Sequence, residues 1–358
     1  MSFVVTPSAA PVARDHGFHP VTVKRVVHET DDTRSYVLDI PAELAGAFAY
    51  RAGQFCTFRL REGEDEHLRS YSMSTAPETD DELAVTVKRV PGGRVSGWFH
   101  DHVSEGMTLE ATRPTGVFCL RDSERPVVGF CGGSGITPVI SLAKSALATT
   151  GRRVALLYAN RTADSVIFDA DLRAMEERYG DRLAVVRHDD TAAGFLDETR
   201  AWAFAERFGA DADFYLCGPT PFMDLVEHAL LGHGVSQEHI LVERFGPVET
   251  TPKPDRAAGG GDGAVVPATI TIILKRKEHE LAYTAGETVL ETARRGGVIT
   301  PYSCEAGNCA TCMAKLVEGS AKMRENNALT DEEIEEGWIL TCQSELSGAT
   351  AIVEYEEL

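Results

Sequence analysis

"PVVGFCGGSGITPVISLAKSAL", residues 126–147, joins an apolar run to an amphipathic one through three glycines in four positions. The first run, ending at Cys131, is short and valine-rich, as a buried strand is. The second, from Pro138, carries its apolar residues at helical spacing. Pro138 suits the first turn of a helix, where its missing N–H has no intrahelical partner to lose. Gly133, Ser134 and Gly135 therefore lie where a strand hands over to a helix. Small residues there let backbone N–H groups approach a phosphate, and the helix N-terminus favours the anion. The spacing is not G-x-G-x-x-G, so a plain tight turn fits the same residues.

The rhythm continues outward. Residues 153–159, 182–188, 213–218 and 239–245 read as strands, and 169–179, 198–208 and 221–231 as amphipathic helices. Such alternation means βαβ units and a doubly wound α/β sheet, here assigned to 123–245. Upstream, 18–122 changes style. Short strand-like runs at 21–27, 34–40, 54–60 and 83–90 are separated by turn residues, with one helix at 95–103. This predicts an antiparallel β-barrel or sandwich. Downstream, "GPVETTPKPDRAAGGGDGAVVPA" (246–268) has turn composition without apolar periodicity and reads as a linker. The last unit, 269–358, is α+β, with two strands, a helix at 287–297, a cysteine loop and further strand. Residues 1–17 lack a basic run followed by an apolar core and read as a disordered arm rather than a secretory signal.

A chain of 358 residues with 43% apolar content can hold two or three such cores. No stretch approaches the roughly 18 apolar residues of a membrane span, so no membrane partner is expected. The net charge of −20 repels a phosphate backbone, which argues against nucleic acid. Residues 324–358 hold ten acids against one arginine. That run reads as a solvated face, or as a docking face for a basic protein. Reduced thiols point to a cytoplasmic location.

"YSCEAGNCATCMAKL" (302–316) crowds three cysteines into nine positions, and a fourth follows in "ILTCQS". The spacing Cys304-x4-Cys309-x2-Cys312…Cys342 is that of plant-type [2Fe–2S] ferredoxins. Thiolates suit iron in tetrahedral sulfur sites. Ala306, Gly307, Ala310 and Thr311 are small enough for backbone N–H groups to reach cluster sulfurs. A structural zinc is the alternative, but zinc sites favour paired C-x2-C knuckles and only one is present. The loop resembles the ferredoxin motif on a β-grasp fold. It departs at Glu305, where many relatives carry a basic or amide residue.

"RSYSMSTAP" (69–77) offers a cation, an aromatic plate and several hydroxyls, which suits a phosphate, a flat ring and its polar edge. A core tyrosine and a surface arginine pair would also account for it. Arg-x-Tyr-Ser resembles the flavin signature of the ferredoxin–NADP⁺ reductase superfamily. That resemblance implies that Arg69 holds the flavin phosphate, Tyr71 stacks on the ring and Ser72 bonds near N5, with Ser70 alongside. "VKRVPGGRVSGWF" (87–99) is similar to the second flavin stretch. It implies Val87, Lys88 and Arg89 along the cofactor, with Gly93, Val95 and Ser96 at the pyrophosphate. "VERFG" (242–246) resembles the end of the reductase module. By that likeness Phe245 covers the flavin and Glu243 lies near the reacting edge; a core aromatic closing the last strand is the alternative for Phe245.

The 129–140 stretch resembles the pyridine-nucleotide loop of the same superfamily, with Gly133, Ser134, Gly135, Thr137 and Pro138 at the nucleotide. Cys217, Gly218 and Pro219 resemble the motif whose cysteine lies beside the nicotinamide C4. Cys56, Cys119 and Cys131 read as inert buried thiols, which is also the alternative for Cys217. Asn160 and Arg161 stand at the end of the second strand, where an acid would select NAD. The expectation stays at NAD(P)H.

The order of modules is similar to that of oxygenase reductase components carrying a C-terminal ferredoxin. The resemblance implies FAD, [2Fe–2S] and NAD(P)H as cofactors. It also implies a transient electron-transfer complex with a separate terminal non-haem iron oxygenase of steroid or aromatic-type substrates. No Ser-His-Asp order, no H-E-x-x-H and no histidine pair beside an acid that would bind catalytic iron is found, so oxygen chemistry is expected on another chain. The alternatives are an electron-carrier module reduced by another enzyme and a self-contained flavin oxidoreductase.

Overall fold

The computed structural model describes residues 18–62, 65–245, 266–302, 307, 310–326, 328–329 and 331–355. The expected arm 1–17, linker residues 246–265, Cys304 and Cys309 lie outside them.

The first unit holds β1 (His19–Thr30), β2 (Thr33–Asp39), β3 (Phe55–Glu62), β4 (Asp65–Ser72), β5 (Leu83–Lys88), helix α1 (Arg94–His102) and β6 (Thr108–Ala111). Its antiparallel sheet has the order β4-β3-β6-β1-β2-β5. A bridge between Met73 and Val85, and a 2.9 Å bond from Ser74 N to Ala84 O, join the outer strands. The sheet therefore closes into a barrel around Val21, Tyr36, Phe58, Val85 and Phe99. Strand alternation sends Val85 and Val87 inward and Ala84 and Thr86 outward. The outward pair is buried too, because β5 packs against the turn Gly133–Gly135 of the next unit.

The second unit holds β7 (Val127–Gly132), α2 (Ile136–Thr149), β8 (Val154–Asn160), α3 (Asp169–Tyr179), β9 (Leu183–Asp189), α4 (Asp190–Ala193), α5 (Glu198–Ala205), β10 (Asp213–Gly218), α6 (Thr220–Gly232) and β11 (Ile240–Arg244). All five strands are parallel, in the order β11-β10-β7-β8-β9. The winding reverses between β7 and β10, where open α/β sheets bind ligands at the strands' carboxyl ends. α2 begins two residues before Pro138, because Gly133–Gly135 is a 3₁₀ turn leading into it. α5 ends at Ala205, and residues 206–208 continue as a 3₁₀ turn. Beneath the sheet, Arg152 and Asp213 form a 2.5 Å ion pair with both side chains fully buried.

α2 also fastens the two units together. Ser141 Oγ donates to Thr75 O at 2.6 Å and accepts from Gly53 N at 3.3 Å. Lys144 Nζ lies 3.2 Å from Asp80 Oδ2.

The third unit holds β12 (Thr269–Leu274), β13 (Lys277–Ala282), α7 (Val289–Arg295), β14 (Met313–Met323), α8 (Asp331–Glu335), β15 (Trp338–Leu340) and β16 (Ser344–Glu354). The strand order is β13-β12-β16-β14-β15, parallel only between β12 and β16. Thr288 and Glu291 form a capping box that starts α7, satisfying two otherwise unpaired N–H donors.

Candidate cofactor sites

At the reversal of the parallel sheet, two strand ends approach unusually closely. A Cβ on Gly135 would lie 2.1 Å from the Cys217 carbonyl oxygen and 2.7 Å from Gly218 N. Gly135 has φ −61°, so proximity rather than backbone angle requires glycine here. Gly133, at φ +53°, is the position that needs left-handed freedom. Gly132 meets Pro219 in the same way, at 2.8 Å from its Cδ. The residues of the two loops, 132–135 and 217–219, thus form one floor. Thr137 Oγ1 donates to Ser134 O at 3.1 Å, and Tyr158 OH donates to Gly133 O at 3.0 Å. Sequence reasoning misses Tyr158, because nothing in a strand tyrosine announces that it holds a loop.

Cys217 is fully buried, with Cys131 beside it in β7 and Glu243 beside it in β11. Burial first, then the Glu243 charge, pushes its thiol well above the ordinary range. It is therefore a neutral thiol and not an attacking thiolate. Arg244 is tied to α6 through Asp224 at 2.8 Å and Glu227 at 3.2 Å, which fixes the end of β11. Phe245 follows it and is 38% exposed, so it is not a core aromatic. Asn160, at the carboxyl end of β8, is 3% exposed, and its side chain interacts with the Tyr158 hydroxyl. Arg161 is exposed beside it.

Gly135→Ala tests the floor. The added methyl meets backbone that cannot swing aside. The expected result is retained flavin and at least a roughly tenfold fall in flavin reduction by NAD(P)H, because a displaced site loses its reacting geometry. Flavin absorbance in stopped flow reads both; a parent-like rate would count against the floor as the nucleotide seat.

On the barrel, alternation along β4 divides the signature. Arg69 and Tyr71 share the face of Phe58 and Cys56, while Ser70 and Ser72 share the face of Thr57 and Phe55. Tyr71 packs edge-on against Phe99 at 5.2 Å. Ser70 Oγ is already paired with Thr57 Oγ1 at 2.9 Å. Ser72 is 2% exposed and its Oγ has no partner among the described residues, which fits a hydrogen bond to a bound ring. Arg69 is exposed, and its Nη1 donates to Leu68 O at 2.7 Å. The side chain of Val87 lies in the barrel core, so only its backbone is available to a cofactor. Lys88 faces Asp32 at 3.6 Å and Arg89 grips Asp101 at 2.5 Å. Gly93 is the N-cap of α1 and has no side-chain cap. Ser96 Oγ accepts from Val90 N at 3.1 Å, shaping the turn, while Val95 packs inward. Arg94, absent from the expected set, begins α1 and meets His67 Nε2 at 2.8 Å.

In the third unit, Met313 pairs with Leu340 across β14 and β15. Thr341 N and Oγ1 both bond to Cys312 O, at 3.1 and 2.8 Å. Cys342 therefore stands beside Cys312 despite thirty positions of separation. Both are buried. Gln343 Nε2 donates to Cys342 Sγ at 3.7 Å, and the Thr311 hydroxyl is buried without a partner among the described residues. Gly307 and Ala310 have left-handed φ of +76° and +52°. Two buried thiols, donors near them and a tightly turned loop fit a sulfur-liganded cluster.

Comparison with known proteins agrees module by module. An oxidoreductase FAD-binding domain matches residues 20–119, an oxidoreductase NAD-binding domain 130–228, and a 2Fe–2S iron–sulfur cluster binding domain 272–347. Together they define an electron-transferring flavin and iron–sulfur oxidoreductase. The ferredoxin reductase component of 3-ketosteroid-9-alpha-monooxygenase from Rhodococcus rhodochrous is 39% identical over 334 residues, covering 92% of this chain and 95% of that one. One component of the 1,2-phenylacetyl-CoA epoxidase from Escherichia coli (strain K12) is 30% identical over 354 residues, covering 95% and 98%. The first is the likeness that "VTVKR", "GSGITPVISLAKSAL", "YANR" and "PYSCEAGNC" suggest, and the second is the near relative expected beside it. The solved structure of phthalate dioxygenase reductase, described as modular for electron transfer from pyridine nucleotides to [2Fe–2S], has a TM-score of 0.60 and 27% identity, covering 95% of this chain and 98% of its own. The chain belongs to the family of ferredoxin reductase components of multicomponent oxygenases. Among the described residues no helix is long and apolar enough to cross a membrane.

Proposed function

We propose that this chain draws reducing equivalents from NAD(P)H at the 132–135 and 217–219 floor. It then delivers electrons singly to a terminal non-haem iron oxygenase in a transient complex. Bound FAD supplies the change from paired to single electrons, and a [2Fe–2S] cluster carries one at a time. Cys304, Cys309, Cys312 and Cys342 hold the cluster. Arg69, Tyr71, Ser72 and the α1 N-terminus hold the flavin, and Phe245 covers it. Glu243 and Cys217 shape the field beside the nicotinamide without bonding to it. Residues 246–268 serve as a linker between the reductase unit and the ferredoxin unit. The partner's substrate is of steroid or aromatic type, by likeness to the relatives' named systems.

The observation that most supports this reading is the meeting of Gly135 with Cys217 at the sheet reversal, against barrel strand β5, whose neighbour Ser72 has no hydroxyl partner among the described residues. The test is an anaerobic visible spectrum during separate NADH and NADPH titrations, followed by flavin extraction. A yellow chromophore that bleaches, an extracted FAD and a reduced cluster are expected. Colourless protein, or zinc without iron, overturns the reading.

A further inference from the structure

Four oxygen-bearing side chains form one hydrogen-bonded row along the seam between the barrel and the nucleotide unit, and the electron path uses none of them. Ser74 Oγ and Thr86 Oγ1 are 2.8 Å apart, Thr86 Oγ1 and Ser35 Oγ 2.7 Å, and Ser35 Oγ donates to Glu29 Oε1 at 2.6 Å. The three hydroxyl residues are at most 5% exposed, whereas Glu29, near the end of β1, is only half-buried. A hydroxyl has one proton to give, and an ionised carboxylate only accepts. With Ser35 donating to Glu29, Thr86 donates to Ser35, and Ser74 donates to Thr86 at 2.8 Å in preference to the Ala84 carbonyl at 3.4 Å. The whole row is polarised toward Glu29, and an acceptor lone pair is left on Ser74 Oγ at the far end.

That far end adjoins the flavin site. The antiparallel bridge of Met73 with Val85 sets Ser72 opposite Thr86, on the face that Ser74 shares. Ser72 Oγ is a buried hydroxyl without a partner among the described residues. At the near end, Glu29 feels Lys144 of α2 and Asp171 of α3. Burial is the largest influence on its carboxyl and raises it; the Ser35 bond and Lys144 oppose this, and Asp171 adds to it. Glu29 is thus a stronger base than an exposed glutamate.

Oxidation of NAD(P)H releases two electrons and one proton. When the electrons leave singly for the cluster, that proton must leave a seam closed by α2. Resting on the functional reading above, we propose that Ser74, Thr86, Ser35 and Glu29 relay it from the neighbourhood of Ser72 to solvent, with Glu29 the terminal acceptor. Each hydroxyl takes a proton on its oxygen as it gives its own forward, so every O–H broken is matched by one formed. The three hydroxyls stay neutral throughout; Glu29 passes from carboxylate to carboxylic acid as it takes the proton, and returns to carboxylate as it gives the proton to water.

Three variants of the holoprotein test this: Thr86→Val, Thr86→Ser and Glu29→Gln. Single-turnover flavin reduction by NAD(P)H stays within about twofold of the parent in all three, because hydride arrival does not use the row. Flavin reoxidation by excess cytochrome c slows at least roughly tenfold in Thr86→Val and Glu29→Gln, the scale of a lost proton-transfer group. It recovers in Thr86→Ser. In the parent, reoxidation falls as pH drops through the raised Glu29 pKa, since a protonated carboxyl cannot accept; Glu29→Gln loses that dependence. A readout apart from turnover is the infrared carboxyl band lost in Glu29→Gln. In the parent it titrates above the ordinary glutamate range, and it shifts in Thr86→Val. Parent-like reoxidation in Thr86→Val, or equal slowing of both half-reactions, overturns the relay and leaves a structural ladder. Parent protein without flavin sinks the functional reading and the relay together.

Discussion

Cys342→Ser is expected to leave a yellow protein that oxidises NAD(P)H with ferricyanide near the parent rate and reduces cytochrome c more than about 100-fold more slowly, the upper range for damage around a metal centre. The reason is spatial. Cys342 reaches Cys312 only through the pairing of β15 with β14, and Thr341 bonds directly to the Cys312 carbonyl. A serine oxygen is a harder donor than thiolate and suits iron–sulfur clusters poorly. The flavin barrel and nucleotide sheet have their own cores and do not depend on that pairing. A small oxidant can therefore still draw electrons at the flavin, while an acceptor that depends on the cluster cannot. Parallel loss of both activities would speak against an ordered path from flavin to cluster, as would full retention of cytochrome c reduction.

Arg152→Met should cost about 3–5 kcal/mol, the usual consequence of stranding one charge of a buried pair. Arg152 lies under the parallel sheet with its guanidinium on Asp213, and it also donates to the carbonyls of Arg121 (2.9 Å) and Arg125. Asp213 begins β10, the strand that carries Cys217, and accepts a further 2.5 Å bond from Ser123 Oγ. Removing the cation leaves a carboxylate with no water to turn to. At about 2–4 °C per kcal/mol for a unit of this size, the melting temperature should fall by roughly 6–20 °C. The double variant Arg152→Met/Asp213→Leu should recover much of that, since it removes the orphaned charge. Calorimetry decides it: a single variant melting within about 2 °C of the parent would show that the pair is not what holds β10.

Much of the architecture is legible in the sequence because burial imposes period on it. The glycines of 132–135, the βα rhythm to Phe245 and the Cys-x4-Cys-x2-Cys loop each have a local physical cause, and the structure returns the βα rhythm with helix ends shifted by two or three residues. The flavin signature is legible as residue types, not as geometry. Sequence places Ser70 and Ser72 together; the structure shows one hydroxyl already paired and the other open. Lys88 and Arg89 look alike as cations, yet each has its own acid, Asp32 and Asp101. Arg94, Tyr158 and Gln343 carry no signal of their own, because their roles depend on neighbours far away in the chain.

Three modules, their order and the spacing of Cys304, Cys309, Cys312 and Cys342 are written in the chain itself. Those follow from composition, spacing and periodicity, which act over a few residues. The folded contacts add that Gly135 must be glycine because of Cys217, that Cys342 adjoins Cys312, and that Glu29 connects to Ser74 through two other strands. Each of these is a contact set by strand register and sheet order, and register couples residues whose separation along the chain carries no local signal.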